Sequence, residues 1–96
     1  MSSIRKTKKE IDALLSGVIS DAYTCMAVNG DKKFDEICDI VARAVECRNE
    51  LFGKVNNPAE KHNAKLTRKH YQAVRATLFE QTDQLFERLS NTFKED

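Results

Sequence analysis

The 96-residue sequence has few of the residues that break helices or build rigid frameworks: one proline, three glycines, no tryptophan and only three cysteines. A secreted disulfide framework uses an even number of cysteines in a loop-rich chain. We therefore interpret Cys25, Cys38 and Cys47 as reduced thiols packed on helices in a cytoplasmic protein. None of them stands in a Cys-x-x-Cys pair or at ligand spacing from a histidine, so we expect no metal and no other cofactor.

An excess of one charge is also lacking, because the formal net charge is +1. This balance excludes a uniformly basic protein wrapped on nucleic acid, and it excludes an acidic tail protein. The charges are nevertheless segregated along the chain. Residues 10–50 contain nine acidic and four basic side chains, whereas residues 61–79 contain five basic and no acidic ones.

No long apolar run follows the cations near the N-terminus. Four cations within residues 5–9 precede an uncharged run at residues 13–20, but Glu10 and Asp12 stand between them and Asp21 closes the run. The run is too short and too polar to span a bilayer, so we expect neither a signal peptide nor a membrane partner. We predict a flexible basic tail over residues 1–6.

Residues that cap and stop helices divide the rest of the chain into three helices. A capping-box pattern from Thr7 to Glu10 predicts the first start, Asn29-Gly30 predicts its end, and Asp31 can cap the second helix. Either Pro58, at a first helical position, or Thr67, as a cap, begins the third helix. These alternatives leave open a fourth, short helix near residues 58–66. The predicted spans are about 8–28, 32–53 and 58 or 67 to 93.

Apolar residues repeat at helical spacing in each span. Short connections between long helices favour antiparallel neighbours, so we predict an all-α, up-down-up antiparallel three-helix bundle over residues 7–94. Such an elongated bundle has a thin core, which self-association can supplement. The predicted core positions are Ile11, Leu14, Leu15, Val18, Ala22, Cys25 and Met26; Phe34, Ile37, Cys38, Val41, Ala44, Val45 and Phe52; and Tyr71, Val74, Leu78, Leu85, Leu89 and Phe93.

The first helix also carries small, uncharged residues opposite its apolar stripe, and Asp21 is its only charge from Ala13 to Gly30. A helix without a charged face is typically covered on both sides, either by its own bundle or by a partner. Our leading hypothesis is a small, bacterial-type, non-enzymatic protein that binds another protein, as a homodimer, in an adaptor, antitoxin-like, immunity-like or inhibitor role. The candidate interaction residues are Ala13, Gly17, Ser20 and Thr24, with Phe79 and Phe86 on the third helix.

The basic stripe of the third helix supports an alternative, a phosphate- or nucleic-acid-binding module. The polar face of the second helix is interpreted as solvated. No Ser-His-Asp or Cys-His arrangement and no glycine-rich phosphate loop is present, so an enzyme is not expected. The basic candidates are Lys61, Lys65, Arg68, Lys69 and Arg75, and the acidic residues of the second helix are Asp35, Asp39, Glu46 and Glu50.

A remote alternative involves His62 and Lys65, which form a His-x-x-Lys pattern. This pattern resembles the centre of the histidine phosphotransfer domains, which are small helical bundles. The resemblance covers two residues and implies that His62 accepts the phosphoryl group while Lys65 stabilises it. Leu66 and Thr67 stand where that family usually has glycine and a small residue.

Overall fold

The computed structural model describes residues 2–29, 32–56 and 63–94, with side chains over 4–29, 32–56 and 63–92. The described chain forms three helices, and no strand occurs in these ranges. Each helix packs against the other two, so the predicted all-α three-helix bundle is confirmed. The helices are α1 (Ser2–Asn29), α2 (Phe34–Asn56) and α3 (Ala64–Lys94).

Contacts between the helices define their directions. Arg75 Nε lies 2.9 Å from Glu10 Oε1, and further along both helices the ring of Phe86 lies against Gly17. The order of these two contacts shows that α3 runs parallel to α1, with α2 antiparallel to both. The bundle is elongated, with principal extents of 52 × 17 × 16 Å.

The start of α1 differs from the prediction. The helix begins at Ser2, so residues 2–6, which we assigned to a flexible tail, are helical. Thr7 lies inside the helix at 3% exposure and does not cap it. The physical reason is that arginine and lysine are good helix formers, and Thr7 continues the inward spacing of Ile11.

The start of α2 follows a residue in the left-handed region. Lys33 has a φ of 64°, and its carbonyl accepts the N–H of Ile37 at 2.9 Å. The helix then begins at Phe34. The predicted cap, Asp31, lies outside the described residues.

The start of α3 is set by Asn63 and not by Thr67. The N–H of Leu66 donates to Asn63 Oδ1 at 3.1 Å, which makes Asn63 the N-terminal cap of a helix that begins at Ala64. Pro58 and most of the possible fourth helix at residues 58–66 lie outside the described residues.

In α1 the predicted core positions are buried or packed against the core, and in α3 they are buried, except that the side chain of Phe93 lies outside the described residues. The core departs from the prediction in α2. Phe34 and Val45 of α2 are 49% and 42% exposed, although we expected them in the core. The apolar arc of α2 is wider than the two neighbouring helices cover, and these side chains lie about 80–100° from its buried centre. Four buried positions of α2 were missed. The core comprises Ile11, Leu15, Val18, Ala22 and Cys25; Ile37, Ile40, Ala44, Cys47, Leu51 and Val55; and Tyr71, Val74, Leu78, Leu85 and Leu89.

Candidate interaction surfaces

The seam between α2 and α3 is closed by arginines that bridge carboxylates. Arg88 Nη2 lies 3.0 Å from Asp39 Oδ2 and 3.3 Å from Glu36 Oε2. The hydrogen bond to Asp39 raises the pKa of the Arg88 guanidinium above its ordinary value, against the opposing effect of burial. A guanidinium shared by two carboxylates fixes the relative rotation of the two helices at this seam.

A second arginine extends the same seam. Arg43 Nη1 contacts Glu46 Oε1 at 2.8 Å, and Arg43 Nη2 donates to Gln81 Oε1 of α3 at 3.0 Å. Glu50 approaches the same guanidinium at 3.9 Å. Asp39, Glu46 and Glu50, which we interpreted as part of a solvated acidic face, are therefore held by arginines.

Ion pairs along the flanks of α1 occur only in its first half. Asp12 Oδ1 contacts Arg48 Nε of α2 at 3.0 Å, and Glu10 contacts Arg75 of α3. Among the described residues, no side chain of α1 beyond Asp12 forms an ion pair. The second half of α1 therefore contacts α2, α3 and the solvent without ion pairs of the kind that join α2 to α3.

We call the exposed surface of this second half the α1 face: α1 from Ala13 to Val28, flanked by Val45 of α2 and Phe79 of α3. Val45 lies three residues before Arg48, which contacts Asp12 of α1, so Val45 is on the side of α2 that faces α1. Phe79 is 46% exposed. Phe79 shares its side of α3 with Phe86 because seven residues separate them. The structure thus brings one predicted aromatic contact beside the small residues of α1.

The predicted small residues occupy different positions on this face. Ala13, Ser20 and Thr24 are exposed. The Thr24 hydroxyl donates to the Ser20 carbonyl at 3.2 Å, so part of the polarity of this surface is satisfied within the helix. Tyr23, which we did not predict, is 59% exposed beside them.

Gly17 and Phe86 form an intramolecular contact. A Cβ atom added at Gly17 would lie 3.6 Å from Phe86 Cζ, and Phe86 is partly buried against the core. The close approach that we expected at Gly17 is therefore supplied, at this position, by α3 of the same chain.

The composition of α1 is unusual for a helix with so much exposed surface. Between Ile4 and Asn29 it contains an 18-residue window that is long and apolar enough to cross a membrane by length and composition, and 28% of this window is buried inside the bundle. Core helices of soluble proteins pass the same test but are mostly buried. Half of the 18 residues from Ile11 to Val28 are exposed, and Asp12 and Asp21 are the only charged ones among them.

Half of the sixteen lysines and arginines of the chain lie at one end of the bundle. Lys54 near the end of α2 accepts, through its carbonyl, a 2.7 Å hydrogen bond from His70 Nε2 near the start of α3. Together with the Glu10–Arg75 pair, this contact places the beginnings of α1 and α3 beside the end of α2. We call this region the basic end. Its eight cations are Arg5, Lys6, Lys8, Lys9, Lys54, Lys65, Arg68 and Lys69.

The structure places the residues of the predicted basic stripe in different surroundings. Lys65, Arg68 and Lys69 are exposed at the basic end, whereas Arg75 is paired with Glu10. Lys61 lies outside the described residues, as does the phosphotransfer candidate His62. Arg5 and Lys6 were missed because we assigned them to a tail. Lys8, Lys9 and Lys54 were missed because their neighbours in space are distant in sequence.

The three thiols differ in environment. Cys25 and Cys47 are buried, and burial raises the pKa of both thiols; Asp21 adds to the effect at Cys25, whereas Arg43 opposes it at Cys47. Cys38 is partly exposed. Within the described ranges, no group of three or more His, Cys, Asp or Glu side chains is placed to hold a metal ion.

Comparison with protein-family models, with curated proteins and with solved structures finds no match to this chain.

Proposed function

We propose that the protein acts by protein–protein interaction through the α1 face, and that the occupant of this face is a second copy of the same chain. The single observation that carries the proposal is a difference in ion pairing between the helix contacts. Arg88 of α3 pairs with Glu36 and Asp39 of α2, whereas α1 beyond Asp12 is flanked by exposed Val45 and Phe79. Exposed apolar groups around a nearly uncharged helix are typical of an interface.

The charge distribution selects the orientation of the two copies. In a parallel dimer, the two basic ends would lie side by side and their cations would repel. An antiparallel dimer with twofold symmetry separates them along the 52 Å length of the bundle. In this arrangement Ala13 and Ser20 of one α1 allow the partner's α1 to approach closely, which is a self-complementary contact.

The size of the face predicts a dimer of moderate strength. The 17 residues from Ala13 to Asn29 extend over about 25 Å, and the bundle is 17 Å wide. Two such faces together bury on the order of 1,000 Å² of accessible surface, which is near the lower limit for a specific interface. We therefore expect dissociation in the micromolar range.

The test compares two exposed alanines. Ala13→Lys places a charge in the α1 face, and Ala73→Lys places the same charge on exposed α3 surface away from it. In sedimentation equilibrium from micromolar to submillimolar concentration, the wild type and Ala73→Lys should approach twice the 11.0 kDa chain mass. Ala13→Lys should remain at the monomer mass. A wild-type monomer at all concentrations, or equal masses for the two variants, would refute the proposal.

A further inference from the structure

The basic end contains no acidic side chain among the residues that the structure describes. Over residues 2–9, 51–56 and 64–74 the sequence has eight cations and neither aspartate nor glutamate. In the described part of the chain, none of the eight forms an ion pair with another side chain. The net charge of +1 for the whole chain therefore conceals a strongly positive surface.

The nearest acidic residues do not neutralise this surface because arginines already hold them. Glu10 is paired with Arg75, and Asp12 is paired with Arg48. Glu50, the nearest acid of α2, approaches Arg43. Over the ranges that the structure describes, each carboxylate that borders the basic end is matched by a guanidinium outside the set of eight, so the eight cations have no carboxylate partner there.

Two helix N-termini reinforce the field of these cations. α1 and α3 both begin at the basic end, whereas only α2 ends there. The free amides and the macrodipole of a helix start favour anions. The helix starts and the cationic side chains therefore both favour anions at this end.

We propose that the basic end binds the phosphate backbone of double-stranded nucleic acid without reading its sequence. The end is about as wide as the bundle, 17 × 16 Å. A duplex carries one negative charge per 1.7 Å of its axis, so about ten phosphates lie within that length and about half of them can face the protein. Cations on three separate helices suit such a two-dimensional array of charges.

The aromatic residues near this end argue against single-stranded nucleic acid. Tyr71 is 7% exposed and belongs to the core, and Phe52 packs against the core beneath the guanidinium of Arg48, which lies 4.4 Å from the ring centre. Single-strand binding proteins rely on exposed aromatic rings for base stacking. The basic end presents charge without such rings, which suits a duplex whose bases remain stacked.

A membrane surface is the competing anionic partner. Binding at an anionic bilayer combines cations with inserted apolar groups. The large apolar side chains exposed near this end, among the described residues, are Ile4 and Leu66 at 40% and 42%. These two half-covered aliphatic groups provide little insertion, so the duplex is the better match.

The experiment measures the affinity of the full chain for two unrelated 20-base-pair DNA duplexes by fluorescence anisotropy between 50 and 200 mM salt. With about four phosphate contacts, the affinity for both should fall about 100-fold over this range. Lys6→Gln and Lys69→Gln should each weaken binding about tenfold at 50 mM salt and lower the salt slope by about 1. Lys32→Gln removes the same charge at the opposite end of the bundle and should change neither value.

Three results would overturn the proposal. One is the absence of DNA binding at 50 mM salt. Another is an equal loss in Lys32→Gln and Lys69→Gln, which would show that net charge and not the basic end governs binding. The third is tighter binding, through the same lysines, to vesicles of phosphatidylserine and phosphatidylcholine than to DNA. Circular dichroism of each variant checks that the helices are retained.

Discussion

Replacing Gly17 by alanine should stabilise the protein, although this glycine lies at a helix contact. The added Cβ would lie 3.6 Å from Phe86 Cζ, which is an ordinary van der Waals distance. Gly53 provides a matched control because a Cβ there would have no neighbour within 4 Å. Both glycines lie inside helices, Gly17 in α1 and Gly53 in α2.

The expected magnitude follows from two contributions. Alanine is more favourable than glycine in a helix interior by about 0.8–1 kcal/mol. At Gly17 the methyl group also contacts Phe86, and partial burial adds a few tenths of the roughly 0.8 kcal/mol for a fully buried methylene. We therefore expect about 1–1.5 kcal/mol for Gly17→Ala and about 0.5–1 kcal/mol for Gly53→Ala, which lies near the end of its helix.

Urea unfolding followed by circular dichroism, at a concentration where light scattering shows monomer, measures these differences. For a domain of this size, 1 kcal/mol corresponds to a rise of about 4–8 °C in Tm. The contradicting result is a Gly17→Ala variant that is less stable than the wild type while Gly53→Ala is more stable. It would show that Phe86 packs more tightly on α1 than the structure has it. The reasoning about this contact would then be wrong.

Three further predictions concern the thiols and the loop before α2. In the native protein a thiol reagent should label Cys38 much faster than Cys25 and Cys47, and comparable rates for all three would contradict their burial. The folded-state pKa values of Cys25 and Cys47 are raised, so these thiols ionise first in the unfolded chain. The free energy of unfolding should therefore decrease as the pH rises above about 8.5. A thiol contribution is excluded if alanine at both positions leaves this decrease unchanged. Lys33→Gly should stabilise the protein by about 1 kcal/mol because Lys33 has a φ of 64°, whereas Lys32→Gly should not, and thermal unfolding of the two variants provides the comparison.

The spacing of apolar residues was sufficient to predict the helices and most of the core. Ile11, Leu15 and Val18 recur at intervals that only a helix places on one face, and they are buried as expected. Helix starts were less predictable, since Thr7 satisfies a capping pattern yet lies within α1. Side chains that match a cap also fit a helix interior, and the buried Thr7 lies on the same face of α1 as the buried Ile11.

The candidate surfaces could be predicted only in part. The small residues of α1 were visible in the sequence, but the contact between Gly17 and Phe86 joins residues 69 positions apart, and its existence depends on the parallel arrangement of α1 and α3. The exposure of Val45 could not be predicted either, because the sequence does not show how much of the apolar arc of a helix two neighbouring helices cover.

Charge shows the division between sequence and tertiary structure most clearly. The sequence alone determined an all-α bundle, a near-neutral chain and a nearly uncharged second half of α1, because periodicity and composition are local properties. Only the tertiary structure decided which charges meet. Antiparallel packing paired Glu36 and Asp39 of α2 with Arg88 of α3. It also gathered the starts of α1 and α3 beside the end of α2, which formed the basic end from cations far apart in the chain.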